Sequence, residues 1–254
     1  MKRRLLIIGI GAGNPQYVTV QAIEAMNRAD VFFIPDKGEG KAELARFRHA
    51  LIDRYVRAPA FRKVGYRVPA RRKGGDAYED RVADWHAEIA AAYRELFLTE
   101  LAESETGAFL VWGDPTLYDS TLRILERVQA KGGIELDYEV IPGVSSVQAL
   151  AARHKVALNA IGRAVMLTSG RTPGRSLPEN VESVAVLLNA EKALSDANGE
   201  LDAYWGAYVG MEEEILVAGK LKDIAGEIER RRAKARKKNG WIMDCLLLKK
   251  PSGK

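Results

Sequence analysis

The sequence predicts an α/β fold with a largely parallel first sheet. Short apolar segments alternate along the chain with segments of helical periodicity, which is the pattern of strands joined by helices. The strand candidates at residues 5–8 and 108–112 are continuous apolar runs, typical of parallel strands buried on both faces. Of the 254 residues, 47% are hydrophobic, which is enough for a substantial core in one or two domains.

The chain is predicted to form two halves. No low-complexity linker separates them, so we expect a tight boundary near residues 113–118. We divide the sequence into an N-terminal α/β domain, residues 1–114, which carries a glycine-rich loop, and a C-terminal α/β domain, residues 115–254.

In the first half, the strand at residues 5–8 enters a glycine-rich loop, and a helix is predicted over residues 19–26. A second strand follows at residues 31–34. The longest helix is predicted over residues 78–101, where apolar side chains recur along one face. Aromatic residues at that spacing favour a core or a dimer interface over a ligand site.

The second half carries strand candidates at residues 138–141, 164–167, 184–188, 204–209 and 241–248. Basic residues cluster at 230–238, on the presumed last helix, where they are interpreted as a solvated face. The last four residues are expected to fray.

Three strand-to-helix turns carry the candidate chemistry: GIGAGNP at residues 9–15, GDP at 113–115 and PGVSS at 142–146. Glycine lets the backbone turn sharply and approach a ligand closely because it has no Cβ. Open α/β sheets bind ligands at the carboxyl ends of their strands, so the turns predict a ligand site there. Ordinary connecting turns are the structural alternative, and either serine of the third turn is a natural N-cap.

A dinucleotide site is a further alternative for the first turn. The fingerprint requires G-x-G-x-x-G, whereas this chain has G-x-G-x-G with Asn14 at the sixth position. Asp36 follows the second strand, as the fingerprint wants, but Pro15 falls where the helix should begin to donate amides.

Together and in this order, the three segments resemble the tetrapyrrole methylases, the S-adenosylmethionine-dependent enzymes of corrin and sirohaem biosynthesis. The residues that match the family's first loop are Gly9, Gly11, Gly13, Pro15, Val18 and Thr19. Ala12 stands where the family commonly has proline. The resemblance extends to residues 210–219 and so covers most of the chain. It implies the fold of class III S-adenosylmethionine methyltransferases, with a mixed second sheet.

Within the family, the chain most resembles the branch that methylates precorrin-5 at ring carbon 1 and releases acetate to give precorrin-6A. The likeness lies in residues 29–33, 107–128, 147–153 and 241–244. Sister enzymes usually follow the GDP turn with Gly-Arg, whereas this chain has Tyr-Asp-Ser at residues 118–120.

The resemblance implies S-adenosyl-L-methionine as methyl donor and S-adenosyl-L-homocysteine as product, bound between the two halves. Methyl transfer from a sulfonium needs no nucleophilic side chain, so the protein contributes positioning and exclusion of water. At residue 188 sister enzymes often have methionine, and an apolar packing role survives the change. The cofactor contacts carried over are Trp112, Gly113, Asp114, Leu117, Ser145, Ser146, Leu188, Gly210 and Met211.

Release of acetate requires water to attack an acyl carbonyl, and a general base would assist that attack. We assign this role to Asp119, with Tyr118 orienting the carbonyl. The alternative for Asp119 is an N-cap of the following helix. The substrate carries acetate and propionate carboxylates, which arginine binds bidentately. The predicted substrate contacts are Gly11, Gly13, Arg62, Arg67, Arg71, Arg153 and His154.

The formal net charge is +5, and one basic cluster covers residues 54–73. We predict that this cluster is a mobile loop that grips the carboxylates of the substrate. The same loop suits an RNA backbone, and charge alone does not separate the two. Binding of RNA would weaken steeply with salt, whereas a tetrapyrrole in a closed trough would depend on salt less.

Composition bears on the compartment of the protein, on metal binding and on membrane association. A single cysteine, Cys245, excludes an internal disulfide and favours a reducing cytoplasm. Three histidines and one cysteine show no zinc spacing, so no metal is predicted. No apolar run is long enough to span a bilayer, and the run at residues 5–8 is too short for a signal peptide.

We therefore expect a small-molecule tetrapyrrole as partner, no nucleic acid and no membrane, and from the resemblance a homodimer. Three other functions stay open at this point. They are another precorrin methylase of the family, a ribosomal-RNA or diphthamide-type methyltransferase on the same fold, and a non-catalytic module that binds a tetrapyrrole.

Overall fold

The computed structural model describes residues 1–36, 38, 42–70, 78–170, 177–188 and 190–251. They divide into two compact units, each described by itself below. Unit 1 comprises Met1–Gly11 and Pro15–Val144, and unit 2 comprises Ala12–Asn14 and Ser145–Lys254.

Unit 1 alternates strands and helices, as the sequence predicts. Thr19 caps α1, because its side chain accepts a hydrogen bond from the Ala22 amide at 3.1 Å. The elements are β1 (Lys2–Gly9), a 3-10 turn (Pro15–Tyr17), α1 (Val20–Met26), β2 (Val31–Asp36), α2 (Ala42–Tyr55), β3 (Arg62–Arg67), α3 (Tyr78–Thr99), β4 (Thr106–Val111), α4 (Thr121–Ala130) and β5 (Glu135–Ile141).

The five strands of unit 1 form one parallel sheet in the order β3-β2-β4-β1-β5. Alternate residues of β1 enter different cores: Leu5 and Ile7 pack in the cluster that contains α3 and α4, and Leu6 and Ile8 in the one that contains α1. This double burial explains the continuous apolar runs of the sequence. Because all five strands run the same way, their carboxyl ends share one edge.

The long helix α3 packs its aromatic face into the core. Tyr93 stacks on Phe109 with ring centroids 4.7 Å apart, and Phe97 is fully buried. Trp85 is partly buried against the same cluster, and its indole nitrogen donates to the Pro69 carbonyl oxygen at 2.7 Å. The prediction of a core role for this face is confirmed.

The edge strand β3 was not predicted. Its residues alternate between partly buried and exposed, with Val64 and Tyr66 packed against the core and charged residues at both ends of the strand. A half-exposed edge strand carries few apolar residues, so the basic segment gave no strand signal. The expectation of a mobile loop is therefore wrong for residues 62–67.

Unit 2 holds a mixed five-stranded sheet in the order β6-β7-β10-β8-β9. Strands β6 and β7 pair in parallel, and the other pairs are antiparallel. The elements are α5 (Ser146–His154), β6 (Ala164–Ser169), β7 (Val181–Leu187), α6 (Ala190–Asp196), β8 (Asp202–Ala207), β9 (Ile215–Lys220), α7 (Leu221–Asn239) and β10 (Asp244–Lys249).

The two-unit division falls at Val144, whereas the sequence suggested a boundary after Asp114. Strand β5 pairs with β1 over seven residue pairs, from Lys2 with Glu135 to Ile8 with Ile141. Residues 115–144 thus complete the parallel sheet of unit 1.

One buried ion pair organises unit 2. Arg232 of α7 donates from Nε to Asp244 Oδ2 at 2.9 Å, and the Trp205 indole nitrogen donates to the same oxygen at 3.2 Å. Arg232 is an exception within the basic cluster at 230–238, which was interpreted as a solvated face. Its aliphatic stem packs inward and its charge is neutralised, so burial is tolerated.

Candidate functional site

Three glycine turns meet at the carboxyl edge of the parallel sheet in unit 1. Gly11 and Gly113 exchange backbone hydrogen bonds of 3.2 and 2.9 Å. A Cβ on Gly143 would lie 2.1 Å from the Gly113 carbonyl oxygen, and one on Gly9 would lie 2.6 Å from the Gly143 amide nitrogen. Only glycine permits such an approach. The turns after β1, β4 and β5 therefore form one continuous backbone surface.

Asp114 fastens these turns together. One carboxylate oxygen accepts from the Gly143 amide at 2.9 Å, and the other accepts from the amide and hydroxyl of Thr116. Burial by itself raises the pKa of the Asp114 carboxyl, but these hydrogen bonds outweigh it and hold the pKa below its usual value. The carboxylate is thus ionised, and both of its oxygens already accept hydrogen bonds from the protein.

The residues after Asp114 include an exposed tyrosine. Trp112 packs on Phe47 with ring centroids 5.1 Å apart, and the Leu117 amide donates to the Asp114 carbonyl oxygen at 3.2 Å. Tyr118 is 45% exposed and has a left-handed backbone, with φ of 52°. Such a backbone is uncommon for a residue other than glycine and is enriched at functional sites.

Asp119 caps the following helix, which was the alternative to its predicted catalytic role. Its Oδ1 accepts from the Thr121 amide in the first turn of α4 at 2.7 Å, whereas Ser120 at the N-cap position makes no side-chain cap. The cap uses one of the two carboxylate oxygens. Asp119 is half-buried.

In unit 2, the serines begin α5. Ser145 is buried at the N-cap, where its oxygen accepts from the Val147 amide at 3.2 Å. Ser146 makes a side-chain hydrogen bond with Cys245. Burial raises the pKa of the Cys245 thiol to about 12, so this thiol is neutral at physiological pH.

A second glycine cluster lies in unit 2. A Cβ on Gly13 would lie 2.6 Å from Met211 Cγ. The Gly210 amide donates to Glu214 Oε2 at 2.8 Å, and Arg153 donates to the other oxygen of Glu214 at 2.7 Å. Arg153 therefore supports the turn that contains Gly210 and Met211.

Two other predicted residues of unit 2 differ in exposure. The His154 ring nitrogen Nε2 lies 3.1 Å from the Trp205 carbonyl oxygen, and the ring contacts Tyr204. Leu188 is 54% exposed and has φ of 59°. An exposed apolar side chain on a left-handed backbone is available to a ligand.

The predicted arginines of the basic cluster separate. Arg62 begins β3, at the amino edge of the sheet, and its Nη2 pairs with Glu105 at 2.8 Å. Arg67 ends β3, at the carboxyl edge, and is exposed. Arg71 lies outside the described residues. The parallel sheet thus brings Arg67, but not Arg62, to the edge that carries the glycine turns.

Sequence reasoning missed a buried arginine near this edge. Arg48 lies on the buried face of α2 with Leu44 and Leu51, and it lines a cavity that Asp119 also lines. An arginine on the apolar stripe of a helix is the signal that identifies it, because arginine is almost never fully buried unless it is paired.

Two absences concern the described ranges alone. Within them, no three His, Cys, Asp or Glu side chains are grouped to hold a metal ion. None of the helices there is long and apolar enough to cross a bilayer.

Comparisons with known proteins agree with this architecture. The model of the family described as tetrapyrrole (corrin/porphyrin) methylases matches residues 4–225. A Sinorhizobium sp protein named precorrin-6A synthase (deacetylating) is 50% identical over 249 residues, which cover 98% of this chain and 95% of the relative.

Solved structures show the same fold. A cobalamin synthesis related protein (CobF) from Corynebacterium diphtheriae is 33% identical, with a TM-score of 0.82, and the match covers 98% of this chain and 99% of that one. A uroporphyrin-III C-methyl transferase from Thermus thermophilus, complexed with S-adenyl homocysteine, is 17% identical, with a TM-score of 0.57 and 97% of both chains covered.

The predicted fold class, two α/β halves with a parallel first sheet and a mixed second sheet, is confirmed. The resemblance inferred from the three glycine turns is confirmed as well. By the match of the family model and by a relative of 50% identity along almost its full length, the chain belongs to the tetrapyrrole (corrin/porphyrin) methylase family.

Proposed function

We propose that the protein is a precorrin-6A synthase (deacetylating), which methylates precorrin-5 at ring carbon 1 and releases acetate. The observation that carries the proposal is the 50% identity, over 98% of the chain, to a relative of that name. The Tyr-Asp-Ser sequence at residues 118–120, which distinguishes this branch, supports it.

S-adenosyl-L-methionine is the proposed methyl donor, and its sulfonium supplies an already activated methyl group. The proposed contacts are the turn residues Trp112, Gly113, Asp114 and Leu117 of unit 1, and Ser145, Ser146, Leu188, Gly210 and Met211 of unit 2. The chain's contribution is to orient the donor beside the nucleophilic ring carbon and to exclude water.

The hydrogen-bonding groups of the turns fit S-adenosyl-L-methionine. The amides of Gly113, Gly210 and Met211 already donate to Gly11, Glu214 and Tyr208. The carbonyl oxygens of Gly11 and Gly113 each accept one backbone hydrogen bond and, with two lone pairs, can accept a further one. The adenine amino group and ribose hydroxyls of S-adenosyl-L-methionine are donors that carbonyl oxygens accept, and Leu188 offers an exposed apolar contact.

The second reaction is assigned to Asp119 and Tyr118. Asp119 accepts a proton from the water that attacks the acyl carbonyl, and the exposed Tyr118 hydroxyl donates to the carbonyl oxygen. The macrocycle gives up an electron pair to the incoming methyl group and regains one when the acyl carbon leaves, so no oxidant is needed.

For the substrate we retain Arg67, because it is exposed at the carboxyl edge of the sheet, together with Gly11 and Gly13 of the first turn. Arg71 stays a sequence-based proposal. Arg153 and His154 are already engaged within unit 2, and Arg62 is paired at the opposite edge, so the structure gives these three less support.

A homodimer in the cytoplasm that binds a tetrapyrrole and no nucleic acid completes the proposal. Sedimentation of the pure protein tests the dimer. Titration with RNA at increasing salt tests the alternative ligand, since binding to an RNA backbone would weaken steeply.

The decisive experiment incubates the pure protein with methyl-labelled S-adenosylmethionine and precorrin-5 and follows label and acetate together. Label in the corrin with matching acetate supports the proposal. Label without acetate leaves a methylase but removes the second reaction. Absence of label while the methyl donor still binds points to another branch of the family.

A further inference from the structure

A cavity of about 70 Å³ lies within unit 1, at the carboxyl edge of the parallel sheet. The ends of β2 and β4, the helix α3 and the first turn of α4 contribute to its lining. Its polar side chains include Arg48, Tyr66, Tyr93, Asp119 and Thr121. One water needs roughly 10–15 Å³ of such space. The cavity therefore has room for several waters or for a two-carbon carboxyl group.

Arg48 places a positive charge in this cavity. It is 6% exposed, and its Nε and Nη1 donate to the carbonyl oxygens of Leu110 and Leu44, both at 2.8 Å. Among the residues that the structure describes, no carboxylate lies within ion-pair distance of its guanidinium. Burial lowers the pKa of Arg48, and the negative charge of Asp119 in the same cavity opposes that shift without forming an ion pair. A buried cation that lacks a direct carboxylate partner is costly, so an anion that reaches the guanidinium would be stabilised.

Two tyrosines add neutral hydroxyl groups beside Arg48. The hydroxyls of Tyr66 and Tyr93 lie 3.2 Å apart. Burial raises the pKa of Tyr66 to about 12 and that of Tyr93 well above its usual value, so both keep their protons at neutral pH. Neither tyrosine therefore adds a negative charge to the cavity.

Asp119 lines the same cavity and is the base assigned above. A carboxylate and an unpaired guanidinium that share so small a space fit a group that is neutral when it enters and anionic when it leaves. An acyl carbonyl attacked by water is such a group, because an oxyanion develops on it during the attack.

We propose that this cavity receives the two-carbon acyl arm, that Arg48 and the hydroxyl of Tyr66 stabilise its oxyanion, and that Arg48 then binds the released acetate. The proposal rests on the proposed function and deepens it. It assigns an acetate-binding site. Arg48 and Tyr66 then take the place of Tyr118 as donors to the acyl carbonyl oxygen, because Tyr118 is not among the residues that line the cavity.

The step balances as follows. Water gives a proton to Asp119 as its oxygen bonds to the acyl carbon, and the carbonyl π pair moves to the oxygen that faces Arg48. When that pair returns, the bond between the macrocycle and the acyl carbon breaks, and its electrons stay with the macrocycle. The acetic acid formed passes its proton to solvent water, and acetate pairs with Arg48. Asp119 releases the proton that it took from the attacking water to solvent as the product leaves.

A direct test titrates carbon-13-labelled acetate into the full chain and follows the acetate line width by NMR. We expect wild type to broaden the signal, Arg48→Gln to abolish the broadening, and Arg46→Gln to retain it. Arg46 is the matched control because it lies on the same helix, exposed and paired with Glu43. Absence of broadening by wild type, or equal broadening by Arg48→Gln, overturns the proposal.

A second test follows methyl label and acetate in a single turnover with precorrin-5. Arg48→Gln should lower the rate of acetate release relative to that of methyl transfer about 100-fold, the usual loss for one oxyanion donor. Tyr66→Phe, which removes only a hydroxyl and with it the other proposed oxyanion donor, should slow acetate release by a similar factor. An unchanged ratio of acetate to methyl label in both variants contradicts the proposal.

The two tests separate this proposal from the proposed function. If the wild-type protein transfers no methyl group to precorrin-5, the proposed function fails, while the acetate titration still decides whether the cavity binds a carboxylate. If Arg48→Gln does not fold, as judged by circular dichroism, the wild-type acetate titration and the ratio of acetate to methyl label in Tyr66→Phe decide the proposal.

Discussion

Single polar residues in this chain hold backbone turns in place. Asp114 accepts from the amides of both Gly143 and Thr116, and Glu214 accepts from Gly210 and from Arg153. The family motif that contains Asp114 thus has a structural function, whatever contact its backbone makes with a methyl donor. A side chain that satisfies two turns at once is sensitive to isosteric change, because asparagine offers one acceptor where aspartate offers two.

Asp114→Asn should destabilise the protein by about 1–3 kcal/mol, the usual cost of an amide left without its acceptor. The folded protein holds the pKa of Asp114 below its unfolded value. The stabilisation of the fold by the carboxylate is therefore complete above the unfolded pKa of about 3.9. It is lost as the pH falls through the lower folded pKa. Urea unfolding of both proteins from pH 7 to pH 3 measures this.

The exposed Asp137→Asn, which changes a surface ion pair with Lys2, is the matched control and should lose much less stability. If Asp114→Asn and wild type lose stability in parallel as the pH falls, protonation of Asp114 is not linked to the stability of the fold.

Gly143→Ala should be more damaging than its small volume suggests. The new Cβ would lie 2.1 Å from the Gly113 carbonyl oxygen, and both atoms belong to backbone that is fixed by hydrogen bonds. We expect a loss of about 3 kcal/mol, at the upper end of overpacking costs, measured by urea unfolding. Gly65→Ala in β3 is the control, since a Cβ there meets nothing within 4 Å. Equal midpoints for the two variants would contradict the close approach.

At the scale of elements, hydrophobic periodicity predicted the strands and helices that are buried and missed the strand that is half-exposed. The strands β1 and β4 and the helix α3 were predicted because their apolar residues recur with one period. Strand β3 was missed because it lies at the edge of the sheet, where Arg62, Lys63 and Arg67 flank its few core residues. Its pairing with β2 is a tertiary fact that local sequence does not encode.

The basic cluster of α7 shows the same limit. Lysines and arginines from 230 to 238 predict a solvated face, yet Arg232 is 7% exposed because Asp244, twelve residues further on, neutralises it. Helical phase distinguishes Arg232 from its neighbours, since it shares a face with Ile228 and Ala235. Its partner could not be predicted, because it lies on a different element.

Asp244→Ala should therefore cost about 3–5 kcal/mol, because it leaves the Arg232 guanidinium and the Trp205 indole without their buried acceptor. Thermal unfolding followed by circular dichroism measures the loss. Glu200→Ala, which breaks the exposed pair with Lys222, should leave the melting temperature almost unchanged. A pair of variants with similar melting temperatures would show that the buried pair contributes little.

At the scale of the whole molecule, the parts of the candidate site that are built from backbone turns could be predicted from the sequence. The parts built from side chains of distant segments could not. The three glycine turns were identified in sequence because each combines a strand end, a conformational requirement and a helix start. Arg48, Tyr66 and Asp119 come from separate elements and share a cavity only after the sheet has formed. Of these three, sequence reasoning selected only Asp119, because it follows a recognisable turn.

Cys245 offers a measurement of how ligand binding is linked to the stability of the fold. It lies in the central strand β10, which pairs with β7 up to Leu187 and with β8 at Gly206, near the turns proposed to bind the methyl donor. The thiol is 2% exposed, and burial raises its pKa to about 12, against about 8.5 for a free cysteine. Stabilisation by the neutral thiol is therefore complete below about pH 8.5 and decreases as pH rises toward the folded value.

Alkylation of Cys245 at pH 8 should consequently require opening of unit 2, and the rate should follow the population of the open form. S-adenosyl-L-methionine at about one hundred times its Kd should slow alkylation about 100-fold if it binds only the closed form. Protein unfolded in urea, which should react equally fast with and without the ligand, is the control. A rate in native protein that the ligand leaves unchanged would show that Cys245 is exposed by motions that do not disturb the proposed binding turns.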